Sequence, residues 1–161
     1  MKTYREFVQK VADKAASVSL LVFERRTLDP KELHRLNIMM IRGVSPQFVS
    51  AYREGQRLAV EIKKKVGMIA ASITAPSGVI VNGLIDLAQR EIDIEIDYMV
   101  ARVTIHVQRM QHLGMSADRI GEVLQQKVAD RYWQAFLNRV RRVIDNAIHS
   151  TADIGYYDGL R

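Results

Sequence analysis

The sequence predicts an all-α fold: an elongated bundle of about five helices with long antiparallel helical hairpins, in one domain over residues 1–161. Two observations predict the helices. Apolar residues recur at steps of three, four and seven along nearly the whole chain, the period of an amphipathic helix. Capping residues, prolines and glycines fall where those stripes begin and end. A third observation concerns the core. The chain has no cysteine, so no disulfide or thiolate site substitutes for it, and 161 residues suffice to bury one. Within the domain the reading expects short N-terminal helices over 1–44 and a long hairpin over 45–113 that bends at 75–78. A long C-terminal helix over 116–149 and an irregular or docked tail over 150–161 follow.

Thr3 and Glu6 have the spacing of a capping box. Behind them Tyr4, Phe7, Val8, Val11, Ala15, Val18 and Val22 form one stripe. The second helix is announced by Asp29 as N-cap, Pro30 at the first helical position and Glu32 in the first turn, with Gly43 as its stop. Ser45 and Pro46 repeat that device, so a third helix is expected from there to about Thr74, carrying Phe48, Tyr52, Leu58, Ile62 and Val66. Pro76 and Gly78 break it. The fourth helix runs from about Val79 or Asn82 to Leu113, with Ile85, Ala88, Ile92, Ile96, Met99, Val103 and Met110 on one face and Gly114 as its end. Ser116 caps the fifth. Rods of this length span about 45–55 Å at 1.5 Å per residue, longer than a compact domain of this size. Such helices finish burying their surface on neighbours, which points to oligomeric life.

One passage competes with this pattern. In "IDIEIDYMV" (92–100) apolar and acidic residues alternate, which is a strand signal, and β-branched isoleucine favours it. The helical stripe continues on both sides, so helix is the preferred reading. The strand alternative would pair "ASIT" with "GVIV" as a hairpin.

The net charge is +6 and uneven: about +4 over residues 1–45, +3 over 46–76, −2 over 77–113 and +1 beyond. A basic excess suits nucleic acid or anionic lipid, and serves equally as a solubility device. Two clusters stand out as phosphate-contacting candidates. Lys63, Lys64 and Lys65 wrap around the end of a helix, while Arg139, Arg141 and Arg142 follow Trp133 and Phe136. Arginine beside aromatics can hold phosphate or stack on bases. It is also the wet rim of any helix whose aromatic face is core.

Catalytic chemistry has little footing. His34, His106, His112 and His149 lack the spacing of a helical metal site. Asp93, Glu95 and Asp97 point apart if helical and read as a solvated acidic face. There is no nucleophile elbow, P-loop or dinucleotide fingerprint. The expectation is therefore a non-enzyme with no cofactor, metal or small-molecule substrate. No helix-turn-helix or RNA-binding signature is evident.

The least ordinary segment is "VGMIAASITAPSGVIVNGLI" (66–85), twenty residues without a charge. Its length nominally spans a bilayer. Pro76 and Gly78 at the midpoint would leave backbone groups unpaired in lipid, so a single spanning helix is disfavoured. The candidate membrane- or subunit-contacting residues are Val66, Gly67, Met68, Ile69, Ala75, Pro76, Gly78, Val79, Ile80 and Val81. Contact with a neighbouring subunit is the preferred reading, with lipid contact and a strand hairpin as alternatives.

With its cysteine-free composition, long helices and stretches such as "GMIAASITAPSG", the chain resembles the small helical internal or ejection proteins of bacteriophage virions. That resemblance implies subunits that assemble into tubes passing DNA across an envelope, and carries over no residue. The functional expectation is a non-enzymatic structural or assembly protein that oligomerises. It would be a virion or secretion-type channel component, with self-association or other subunits as partners and nucleic-acid backbone or membrane surface as further contacts. The alternatives are a soluble basic nucleic-acid-binding protein and a small helical adaptor or regulatory protein. The charged N-terminus shows no signal peptide, so cytoplasmic synthesis is expected, with virion incorporation as the extension of the resemblance.

Overall fold

The computed structural model describes residues 2–24, 27–67, 78–125 and 129–161. Of these, 92% are helical, in five helices and no strand. They are α1 (Lys2–Val22), α2 (Pro30–Lys65), α3 (Gly78–His112), α4 (Ala117–Val123) and α5 (Ala129–Leu160). The all-α fold is thus observed, and residues 92–100 lie inside α3. Neither those residues nor Val79–Val81 pair as strands.

Several boundaries follow the local signals. Asp29 caps α2 by accepting the Lys31 amide at 3.1 Å, with Pro30 behind it. Ser116 accepts the Arg119 amide at 3.2 Å and caps α4. α3 closes in a Schellman arrangement: Met115 N–H reaches Met110 O at 3.1 Å, Gly114 N–H reaches Gln111 O at 3.0 Å, and Gly114 takes φ +80.

Other boundaries differ. α1 already includes Lys2, so Thr3 stands inside its first turn and not at the cap. The second and third expected helices are one helix that runs through Gly43 and Pro46. Ser45 is not a cap; its hydroxyl donates to Ile41 O at 2.8 Å. An interior proline costs about 3 kcal/mol. Against that, Val44 and Phe48 on either side are fully buried, each contributing about 1.5–3 kcal/mol. Burial holds the helix together. Gly43 marks close packing on α1, since a Cβ there would sit 3.2 Å from Val18 Cγ1. α2 then ends at Lys65, short of Thr74, because Gly67 turns left-handed at φ +76 and donates to Lys64 O. Residues 68–77, which include 75–77 of the bend expected at 75–78, lie outside the described residues; Gly78 opens α3. The expected fifth helix is divided into α4 and α5. The tail over 150–161, expected as an irregular or docked end, is helical to Leu160 and lies against α2 through Gly155 and Gly159.

The four long helices alternate in direction. α1 is antiparallel to α2 and α5: Val18 lies by Gly43, while Gln9 reaches both Asp145 and His149. α3 is antiparallel to the same two, with His34 level with Asp97 and Tyr132 level with His106. α2 and α5 are therefore parallel, and they make the most extensive contact in the molecule. Among the described residues α1 and α3 do not touch, so the section is a diamond with α2 and α5 across its short diagonal.

Glycines make that short diagonal. A Cβ on Gly55 would fall 1.9 Å from Ala152 O, and one on Gly155 would fall 2.1 Å from Tyr52 O. No side chain fits there, and the two backbones touch. Gly155 and Gly159, four residues apart, share this face. One continuous core fills the remainder, with Leu33, Met40, Val44, Phe48, Ile92, Ile96, Phe136 and Ile144 all fully buried. Phe23 meets Phe136 edge-on at 5.2 Å, which seats the chain just past the end of α1 on α5.

Among the helices α4 packs on α3 alone, with Ile120 of α4 and Met110 of α3 both buried. The accessible surface is 10015 Å², against roughly 8,200 Å² expected of a compact monomer of this mass.

Candidate functional surfaces

The expected hairpin site is only partly within the described residues. Val66, Gly67, Gly78, Val79 and Ile80 are exposed, Val79 at 84%, whereas Val81 is in the core. Met68, Ile69, Ala75 and Pro76 lie outside the described residues. No described helix is long and apolar enough to cross a membrane.

The two basic clusters are not brought together. Lys63 is only 5% exposed, so of the three lysines Lys64 and Lys65 alone face outward, at the end of α2. Arg142 lies seventeen residues before Gly159, which meets Ala59, placing it roughly 25 Å down the bundle. Arg139, Arg141 and Arg142 also separate. Arg141 and Arg142 face α1 and share a groove with Gln9, Asp13, Asn138 and Asp145, whose carboxylates offset their charge. Arg139 turns to α3, where it pairs with Glu95 at 3.5 Å and lies 4.7 Å over the Tyr98 ring. Trp133 and Phe136 are core.

The acidic run resolves by helical geometry. Asp93 and Asp97, one turn apart, both meet His34 of α2: Nδ1 lies 2.7 Å from Asp93 Oδ1 and Nε2 lies 3.0 Å from Asp97 Oδ1. Asn37 Nδ2 adds bonds to Asp93 Oδ1 at 2.9 Å and to Gln89 O at 3.0 Å. Burial lowers the imidazole pKa, but the bonds to the two carboxylates outweigh it and hold His34 above its ordinary 6.5. This is a clamp between α2 and α3, and neither residue set reads as a free acidic face. Among the described residues no acidic or histidine cluster could hold a metal.

Two surfaces were not anticipated. The first is a second apolar face on α3. Opposite its buried stripe, Ile80, Leu87, Ile94, Tyr98 and Ile105 are 38%, 48%, 65%, 45% and 49% exposed. Ile80, Leu87, Ile94 and Ala101 recur every seven residues, as do Leu84, Glu91, Tyr98 and Ile105 four places on. That is the a/d pattern of a coiled-coil seam, and Glu91 is its only charge between 80 and 105. The period was visible in the sequence, hidden by the stronger core stripe beside it.

The second is a basic and aromatic patch between α3 and α5. The Arg102 guanidinium lies 5.5 Å from the rings of both Tyr98 and Tyr132 and donates to the Tyr98 hydroxyl at 3.1 Å. His106 meets Tyr132 edge-on at 6.2 Å. Arg102, Ile105, His106, Arg109 and Tyr132 line a shallow depression of about 170 Å³. Its α3 members share a face by spacing, but Tyr132 joins them only through the tertiary fold.

Comparison with protein families, with curated proteins and with solved structures finds no match to this chain.

Proposed function

We propose that this chain is a non-enzymatic assembly subunit that associates with copies of itself along the outer row of α3. The observation that carries the reading is that α3 is apolar on two opposite sides, and its own bundle covers one. An extended exposed apolar row of this kind is the mark of an interface.

The row's residues favour an antiparallel partner. In a parallel pairing Glu91 would face Glu91 of the second copy, and the two Tyr98 rings would collide. An antiparallel pairing centred between Ile94 and Tyr98 sets Ile94 on Tyr98, Leu87 on Ile105 and Glu91 on the small Ala101. The row from Ile80 to Ile105 is about 38 Å long and one helix, about 10 Å, wide. It offers roughly 400 Å² per copy, half of a standard interface. A single pairing is thus weak and concentration-dependent, and stability comes from many such contacts in a larger assembly. A virion or secretion channel is one such setting, in keeping with the resemblance noted above.

The absence of cysteine makes the test clean. Leu87→Cys mixed with Ile105→Cys should form a disulfide-linked dimer under mild oxidation, while Leu87→Cys alone should not. If no pair along the row cross-links and light scattering stays at monomer mass, the reading is wrong.

A further inference from the structure

We propose that the depression between α3 and α5 binds one phosphate-and-base unit of single-stranded nucleic acid, with phosphate between Arg102 and Arg109 and a base on Tyr132. It rests on a different observation from self-association, but Tyr98 and Ile105 belong to both surfaces, so the test is run on the monomer.

The charge is available. Arg139 is matched by Glu95, but among the described residues neither Arg102 nor Arg109 has a carboxylate partner. They lie seven residues apart, with His106 between them, so all three occupy one face of α3. Arg102 is also held ready. The Tyr98 and Tyr132 rings each lie 5.5 Å from its guanidinium, and the Tyr98 hydroxyl accepts a hydrogen bond from it. A held guanidinium gives up less rotamer freedom when it meets an anion than a free one does. Such rings hold an arginine without neutralising it, as a carboxylate would.

The volume selects the class of ligand. About 170 Å³ is below the ~300–1,000 Å³ of sites that enclose a small molecule, so the depression suits one unit of a polymer that passes across it. The half-buried Tyr132 ring gives a base a stacking face, and arginine beside it adds a cation–π contribution. Nothing in the patch reads a base edge, so contact is independent of sequence. The patch differs from the phosphate-contacting set expected from sequence. There Arg141 and Arg142 share their groove with two aspartates.

The test is fluorescence anisotropy of a labelled thymine oligonucleotide at low salt, with the protein dilute enough to be monomeric. Wild type should bind it more tightly than a duplex of equal length. R102Q/R109Q should weaken binding at least tenfold and lower the salt slope by about 0.7, the value for one single-strand phosphate contact. Tyr132→Leu should cost about 5- to 150-fold, corresponding to 1–3 kcal/mol per stacked base, and Tyr132→Phe should retain binding. R141Q/R142Q should bind as wild type, and thermal melts establish that each variant is folded. The proposal is overturned if wild type fails to bind at low salt, or if R102Q/R109Q keeps wild-type affinity and salt slope. It is also overturned if R102Q/R109Q loses binding to phosphatidylserine vesicles while its oligonucleotide binding is intact, which would make the patch a membrane site.

Discussion

Gly155 has no room for a single carbon. Its Cβ would lie 2.1 Å from Tyr52 O, and a backbone oxygen cannot rotate aside as a side chain can. Gly155→Ala gains about 1 kcal/mol of helix propensity, but it must separate two helices along the short diagonal. The net expectation is a loss of about 3 kcal/mol, or roughly 6–12 °C in Tm, read by thermal melting. Gly83→Ala is the contrast. Nothing lies within 4 Å of that position, so only the propensity gain remains and Tm should rise slightly. A second residue-scale prediction concerns His34. Its pKa is raised in the folded state by Asp93 and Asp97, so the clamp contributes fully below the unfolded value of 6.5 and is lost as pH rises through the folded value. Stability should therefore decline from pH 6 towards 9 by about 0.5–1 kcal/mol, since both partners are partly exposed. Denaturant titrations of wild type and His34→Gln at both pH values check this. The variant should show a smaller decline, and an equal one would remove the clamp from the account.

At the scale of elements, α2 shows how packing overrides local signals. Ser-Pro after a glycine is a helix stop and start when read locally, and the same signals work at Asp29-Pro30 and at Gly114. The difference at Gly43–Pro46 lies in Val44 and Phe48, whose burial requires helical geometry across the break. Pro46 itself is exposed. Pro46→Ala should therefore restore a backbone hydrogen bond without loss of packing, and raise stability by about 1–3 kcal/mol in a denaturant titration. A loss of stability would mean that α2 depends on a bend at the proline. The same contrast limits what could be read of the sites. The Asp93/Asp97 spacing was visible, but not that His34 would stand opposite, fifty-nine residues from Asp93. Gly155 and Gly159 were visible as a spacing, but only the parallel neighbour α2 gives it meaning. Caps and stripes are properties of neighbours in sequence, whereas clamps, close approaches and patches need the fold.

For the whole molecule, the parallel α2–α5 pair is the spine, with α1 and α3 on its two sides and α4 packed on α3. α1 turns mainly polar residues outward, with Phe7 and Leu21 as separate exceptions, whereas α3 presents a continuous apolar row, and the exposed surface exceeds that of a compact monomer by about a fifth. The all-α fold was legible because helical period and caps are local. Which of the helices carried an outward apolar face was not, because an apolar stripe in sequence does not say whether core or a neighbour covers it. The proposed cover of the outer row of α3 by a second copy is measured by sedimentation equilibrium across a wide concentration range. Wild type should rise above monomer mass with a dissociation constant on the order of tens of micromolar or weaker, as a half-size interface allows. L87E/I94E, which places charge on two exposed positions, should stay folded and monomeric throughout. Wild type that remains a monomer at every concentration, or a variant that associates as wild type does, would contradict the account.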